Sequence, residues 1–246
     1  MPAHKGSASA LLFYKATFQN KFMDAKQEAG EAAAKLVEAG TVVGLGTGST
    51  AKFFIEALAR REKEEKLALT CVATSNASEA LAKSLGLKVV QFSAVGRIDF
   101  AADGADKIDS KLNLIKGLGG ALVREKIIDY RAEKFVVMAD EGKVVKQLFG
   151  IVPVEVIPMG AKIVCRELKE IGAVDAAVRA DGGKTFVTDN SNWIVHAVFG
   201  KIKNPKKLEA QINEIAGVVD NGLFTRNAKC ALLGTGSGVR EIKGEG

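Results

Sequence analysis

The sequence predicts an α/β protein, a parallel sheet with helices on both faces, followed by a smaller α+β unit. Three observations carry that expectation. Short apolar runs alternate with stretches of helical period from Asp24 to Ala102. A glycine-rich loop, Gly44–Ala51, separates one such run from the helical pattern after it. Beyond Pro153 the texture shifts to alternating strands broken by a glycine-rich turn.

Residues 1–22 show no periodicity; with Lys5, Lys15 and Lys21 and no acid, they read as a basic tail. From Asp24, the residues Ala29, Ala32, Ala33, Leu36 and Val37 form an apolar helical stripe that Gly40 ends. Thr41–Leu45 is a short buried strand. It runs through the loop into a helix from Thr50 to about Arg61, with Arg60–Lys66 as its solvated end and turn. Leu69–Ala73 is a second strand. Ser75 or Asn76 then caps a helix that Gly86 stops. Lys88–Phe92 and Ile98–Ala102 read as third and fourth strands, Gly120–Tyr130 as a helix and Phe135–Ala139 as a buried strand. In a parallel sheet of this kind, ligands sit beyond the carboxyl ends of the strands. Gly44–Ala51 and Asp103–Asp106 both follow strands, so they can share one sheet edge.

The second unit starts with VEVI between Pro153 and Pro158. It continues as a helix over Ala161–Ile171, a hairpin around Asp181-Gly182-Gly183, a strand at Trp193–Phe199, a helix at Pro205–Ala216 and a return at Gly217–Phe224. Lys229–Gly234 again has the texture of a parallel strand. The expected division is a tail (1–22), a Rossmann-like catalytic domain (23–150 and 225–246) and a smaller α+β, ferredoxin-like domain (151–224).

Composition narrows the function. Hydrophobic content of 47% and charged content of 26% suit a globular chain. No apolar run approaches the ~20 residues of a membrane helix. The net charge of +6, half of it from the lysines of the tail, is not clustered with aromatics and argues against nucleic acid. Cys71, Cys165 and Cys230 lie among apolar residues and read as buried thiols of a reducing compartment. Neither His4 nor His196 makes a metal-ligand spacing with them, and His196, in WIVHAVF, reads as a satisfied structural histidine.

Chemistry concentrates in FAADGADKIDSKLNLIKGLGGALVREK, residues 100–126, which holds Asp103, Asp106, Lys116, Gly119, Gly120 and Glu125. Acids, a cation and flexible backbone after a strand suit proton chemistry on a small anion. An Asp-Gly turn before a charged helix would show the same residues. The loop GLGTGSTA bears on the choice. Its glycines, the following helix N-terminus and the hydroxyls of Thr47, Ser49 and Thr50 suit a phosphate. Gly46-x-Gly48-x-x-Ala51 also matches a loose dinucleotide fingerprint, but the next strand ends Val72-Ala73-Thr74-Ser75 without the acid that motif needs. A plain tight turn is the third reading.

Together these residues resemble a known family, ribose-5-phosphate isomerase of type A. The likeness runs from about Asp24 to the end. It rests on GLGTGSTA (44–51), DGAD (103–106), KGLGGALVREK (116–126), MADEGK (138–143), PVEV (153–156), TDNSN (188–192) and GVVDNGLF (217–224). Departures are Lys107 where an acid is common, Leu118 where glycine is usual, Gly142 in place of serine and His196 in place of an aspartate.

The resemblance implies reversible conversion of ribose 5-phosphate and ribulose 5-phosphate, in the non-oxidative pentose phosphate pathway, with no cofactor and no metal. Glu125 matches the family's base, and partial desolvation would raise its pKa towards the working pH. Lys116 and the Gly119–Gly120 backbone would meet the charge developing on oxygen. Asp103 and Asp106 would handle hydroxyl protons and titrate as a coupled pair. Thr47, Gly48, Ser49 and Thr50 match phosphate positions, with Lys26 and Lys143 as further substrate lysines and Gly104, Ala105, Gly117, Leu118 and Gly119 as the remaining contacts. The implied partner is a small sugar phosphate and the implied state a cytoplasmic homodimer or homotetramer, joined through the smaller domain. The rival classes are a non-catalytic sugar-phosphate sensor, which would not need Glu125 as a base, and a nicotinamide-dependent oxidoreductase.

Overall fold

The computed structural model describes residues 25–244; the basic tail and His4 lie outside them. The chain begins with α1 (25–35), β1 (Val42–Leu45), α2 (Ser49–Glu65), β2 (Thr70–Ala73) and α3 (Asn76–Ser84). Then come β3 (Ile98–Gly104), β4 (Lys107–Ile108), β5 (Leu114–Ile115), α4 (Leu122–Asp129) and β6 (Ala132–Asp140). After the second unit, β14 (Ala228–Gly234) and β15 (Val239–Lys243) return to the first sheet. That sheet has six strands in the order β15-β14-β6-β3-β1-β2, parallel except for β15.

Both faces of this sheet are covered, so its strands bury residues of either parity. Phe100, Ala102, Val136 and Met138 pack with Ala29, Ala33, Phe54 and Leu58 of α1 and α2. Ala101, Phe135, Val137 and Ala139 face the other way, towards Ile128 of α4 and Phe224. The first glycine of the loop is needed for this layer. A Cβ on Gly44 would lie 2.6 Å from Ile128 Cγ2 and 2.9 Å from Ala101 Cβ, so β1 and α4 approach only over a glycine.

The second unit contains β7 (Gly150–Val156), α5 (Ala161–Glu170), β8 (Asp175–Val178), β9 (Ala180–Asp181), β10 (Lys184–Thr185), β11 (Trp193–Phe199), α6 (Pro205–Asn213), β12 (Val218–Asn221) and β13 (Leu223–Phe224). Its four-stranded sheet runs β12-β7-β11-β8 with every neighbouring pair antiparallel. With one helix after β7 and one after β11, this is the split β-α-β arrangement of ferredoxin-like folds. Val164, Leu168, Leu208 and Ile212 of the two helices pack on Val152, Val154, Val195 and Ala197. The β9–β10 hairpin turns at Gly182 and Gly183, both at positive φ, as the Asp-Gly-Gly sequence predicts.

Several expectations need correction. Lys88–Phe92 is no strand: the chain makes one bridge, Cys71 to Val89, then turns into a 3-10 segment at Phe92–Ala94. Arg60–Glu65 continues α2, because Arg61 pairs with Glu65 at 2.7 Å and donates to Val37 O at 2.9 Å. The β4–β5 hairpin was not legible; it is turned by Asp109, whose Oδ1 accepts from the amides of Lys111 and Asn113. Cys71 and Cys230 are buried as expected, whereas Cys165 on α5 is half-exposed. His196 is not satisfied: its Nε2 is buried without a hydrogen-bond partner.

Candidate active site

Residues 103, 116, 125 and 129 bring four ionisable side chains together under the carboxyl edge of the parallel sheet. Asp103 is the last residue but one of β3, level with Val137 of β6 and one residue beyond the Ala102–Leu45 pair. Lys116 follows β5, its amide donating to Gly222 O at 2.9 Å. Glu125 and Asp129 stand one turn apart on α4 and so share a face. Lys116 Nζ lies 2.9 Å from Asp103 Oδ2, 3.1 Å from Glu125 Oε2 and 3.7 Å from Asp129 Oδ2. All four side chains are at most 4% exposed, with Phe224 beneath the ammonium at 5.1 Å from the ring centroid.

Burial sets the electrostatics. Loss of water pushes Glu125 up to about 7, against the opposing pull of Lys116 and with the push of Asp103. Desolvation, then the nearby Asp103 charge, raises Asp129 well above the ordinary carboxylate range. For Lys116, burial alone would lower the pKa, but Asp103, Glu125 and Asp129 together outweigh it and hold the ammonium charged.

Glu125 and Lys116 open on a cavity of about 210 Å³. Its far wall is the loop after β1 and the start of α2. Gly48 caps α2 at φ +104°, a backbone that favours glycine, and no side chain bonds the free N–H groups there. Lys26 reaches the same end and donates to Ser49 Oγ at 3.0 Å. A helix N-terminus, two hydroxyls and a lysine at one end could hold an anion, with a protonatable carboxylate at the other end.

The lining includes Lys26, Thr47, Gly48, Ser49, Thr50, Gly104, Ala105, Asp106, Lys116, Gly117, Leu118, Gly119, Glu125 and Lys143. Asp103 is the exception among the sequence-derived candidates. Its carboxylate is turned inward, where Oδ1 accepts from the amides of Thr47 at 2.9 Å and Gly104 at 2.6 Å while Oδ2 meets Lys116. Asp103 thus joins Glu125 and Asp129 around Lys116 and does not line the cavity with Asp106. Asp106 instead accepts from Leu118 N–H at 3.2 Å and steadies the 117–120 loop. Gly120 N–H is likewise committed, to Gly117 O. The Thr47 hydroxyl bonds Thr74 at 2.7 Å and Ser75 at 2.8 Å, so the anion end has Ser49 and Thr50 as its hydroxyls.

Sequence reading missed Asp129, Asp140 and two arginines. Asp129 was signalled only by its i+4 spacing from Glu125, and Asp140 by its place at the end of β6. Arg124 binds Asn190 Oδ1, Asp189 O and Asn76 Oδ1, tying α4 to the 188–192 loop and to α3. That loop is anchored on buried Glu155, whose Oε1 accepts from Thr188, Asn190 and Asn192. Arg179 lies 3.7 Å over the Phe186 ring and donates to Leu118 O at 2.8 Å. The second unit thus braces both α4 and the cavity loop. A larger open cleft of about 1090 Å³ lies between the β4–β5 turn and the start of α6; five lysines and the single carboxylate Asp109 are among its lining.

The family model for ribose 5-phosphate isomerase A (phosphoriboisomerase A) matches residues 70–238. The chain is 44% identical to ribose-5-phosphate isomerase A of Methanosarcina acetivorans, over 88% of this chain and 93% of that one. The ribose 5-phosphate isomerase A structure from Methanocaldococcus jannaschii superposes with a TM-score of 0.84 at 42% identity, covering 89% of this chain and 97% of that one. A D-ribose-5-phosphate isomerase solved with phospho-erythronic acid gives 0.85 at 40% identity, with the same coverage of each chain.

The closeness of Asp103 to the loop is testable. A Cβ on Gly46 would fall 2.3 Å from Asp103 Oδ1 and 2.6 Å from Ala102 O. Gly46→Ala is expected to lower stability by about 1–3 kcal/mol in urea denaturation and to cut turnover with it. An unchanged midpoint would mean that Asp103 is not held against this loop.

Proposed function

The chain belongs to the ribose 5-phosphate isomerase A family, and on that premise we propose that it interconverts ribose 5-phosphate and ribulose 5-phosphate with Glu125 as the base. The observation that carries the assignment of Glu125 is its placement: a desolvated carboxylate bonded to Lys116 at one end of a cavity whose other end is an uncapped helix N-terminus.

In this reading the phosphate of the open-chain aldose sits at the start of α2, with Ser49, Thr50 and Lys26 around it. C1 and C2 then lie by Glu125. The Glu125 carboxylate takes the C2 proton, and the electrons of that C–H bond form the C1–C2 double bond of an enediolate with its charge on O1. Lys116 and the backbone of Gly119 meet that charge without reorganising. The O2 proton passes to O1 with Asp106 at hand, Glu125 returns its proton to C1, and the carbonyl forms at C2. Protons and electrons balance over the cycle, and no metal is required. Asp103 acts through Lys116 and the Thr47 amide. Lys143 is a second cation for the substrate.

We also read residues 23–150 with 225–246 as the catalytic domain and 151–224 as the smaller one, in a cytoplasmic homodimer or homotetramer. Met159, Val174 and Val187, all apolar and exposed on the second unit, support association there. Among the described residues no helix is long and apolar enough to cross a membrane.

Incubation with ribose 5-phosphate in deuterated water, after chelation, is expected to place deuterium at C2 of recovered aldose and to form ketose. A chain that binds the sugar phosphate without exchange would be a sensor, and loss of exchange on chelation would contradict the metal-free route. Glu125→Gln should lower kcat by about 10²–10⁴-fold with substrate binding retained; near-normal turnover would assign the base elsewhere. Because Glu125 must be ionised to accept the proton and its pKa is pushed up to about 7, kcat/KM should fall as pH drops below that value. An acid limb in the ordinary carboxylate range would show that the site is wetter than its geometry implies.

A further inference from the structure

The run Leu-Gly-Thr-Gly-Ser occurs twice in the chain, at residues 45–49 and again at 233–237. Both copies begin where a parallel strand ends, β1 and β14, and in both the glycine before the serine has positive φ, +104° at Gly48 and +79° at Gly236. Such backbone turns successive N–H groups towards one point, which suits an anion. At the first copy the N–H groups that start α2 have no side-chain cap and open on the cavity. At the second the chain supplies its own anion, the half-buried Glu28 of α1. The amides of Thr235 and Gly236 donate to Glu28 Oε2 at 3.1 and 2.9 Å, and the Gly238 amide donates to Oε1 at 3.0 Å. Helix α1 therefore joins the two loops. Residues two apart point to opposite sides of a helix, so while Glu28 enters the second loop, Lys26 reaches Ser49 Oγ of the first at 3.0 Å. Backbone packing sets how close α1 lies to its neighbours: a Cβ on Gly234 would overlap Ala25 O, and one on Gly30 would fall 2.7 Å from Phe54 N. Smooth glycine contacts of this kind fix distance but not rotation about the helix axis. Three hydrogen bonds to a carboxylate fix rotation as well.

We propose that Glu28 is a positioning residue for phosphate binding: seated in the second Leu-Gly-Thr-Gly-Ser loop, it sets the rotation of α1 and so holds Lys26 against the anion end of the first. The inference rests on the reading that the substrate's phosphate lies at the start of α2 with Lys26 beside it. Glu28 itself is not in the cavity wall and touches no substrate. Without its carboxylate, the first turn of α1 loses its hold on the 235–238 loop, and the phosphate must order Lys26 as it binds. The phosphate does not react, so this cost falls equally on ground state and transition state.

The test is a cycle of Glu28→Ala, Lys26→Ala and the double variant, read as KM and kcat for ribose 5-phosphate. Glu28→Ala is expected to raise KM roughly tenfold with kcat little changed, the pattern of lost uniform binding. Lys26→Ala should raise KM too, and adding Glu28→Ala to it should change KM no further, because the side chain it positions is gone. Effects that multiply in the double variant overturn the proposal, as does an unmoved KM in Glu28→Ala; a glutamate that merely steadied its loop would lower stability and leave KM in place. If Glu28→Ala does not fold, amide hydrogen exchange of the wild-type protein with and without inorganic phosphate decides. Linkage is reciprocal, so phosphate at the first loop must strengthen the Glu28 contacts at the second. Exchange at Thr235, Gly236 and Gly238 should then slow more than at the Gly182–Gly183 turn; an equal change at both overturns the proposal. The underlying reading fails in a different way. An unmoved KM in Lys26→Ala takes Lys26 away from the phosphate and the proposal with it, whereas a raised KM there with Glu28→Ala silent strikes the proposal alone.

Discussion

Lys116 stands among three carboxylates from which water is excluded, and much of the structure follows from holding that ammonium in place. Removing one partner of a buried ion pair typically costs about 3–5 kcal/mol, because the remaining charge is stranded. The partners must therefore come from rigid elements. Asp103 is fixed at the end of a central strand, between β1 and β6. Glu125 and Asp129 come from a helix packed on that strand's face through Ile128. Lys116 itself is pinned through its amide to Gly222, where a Cβ would fall 2.3 Å from Lys116 O and 2.7 Å from Pro153. A glycine in the last part of the second unit thus decides where a lysine of the first can lie.

The same constraint gives the smaller unit a part in the site, although none of its residues lines the cavity. Arg124 precedes Glu125 on α4, and its three hydrogen bonds end on Asn76, Asp189 and Asn190. Buried Glu155 fixes the 188–192 loop, which in turn fixes the helix turn that presents the base. Arg179 does the same for Leu118, whose carbonyl it holds. With Leu118 O and N–H both bonded, the 117–120 loop is held from two sides, by Arg179 and by Asp106.

What was legible in the sequence was whatever local chemistry dictates. The parallel strands announced themselves as short apolar runs, the Asp-Gly-Gly hairpin by its turn residues and the loop after β1 by glycines before a helix. Ser75 capped α3 as its side chain suggested, accepting from Ser78 N–H. Side-chain direction was not legible. Asp103 and Asp106 look equivalent in DGAD, yet β3 runs on to Gly104 and turns the first inward, while the second lies past the strand and faces the cavity. Phe224 lies on the path back from the second unit, and only the fold brings it beneath Lys116. The expected third strand makes only the Cys71–Val89 bridge before the chain turns away at Phe92.

The charge balance of the cluster explains why desolvation here serves the chemistry. Three carboxylates around one ammonium cannot all stay ionised out of water without great cost. The cheapest correction is a proton retained on one of them, and burial has raised both α4 carboxylates towards holding it. Isomerisation of an aldose to a ketose consumes no proton overall; it needs a group that gains one at C2 and releases it at C1 with little change in free energy. A carboxylate near neutrality, beside an ammonium that stays charged throughout, meets that requirement. Since Glu125 is only 4% exposed before any substrate arrives, folding rather than binding carries the cost of drying it. Substrate affinity can then come from the phosphate at the far end of the cavity, leaving the groups at C1 and C2 free to favour the transition state.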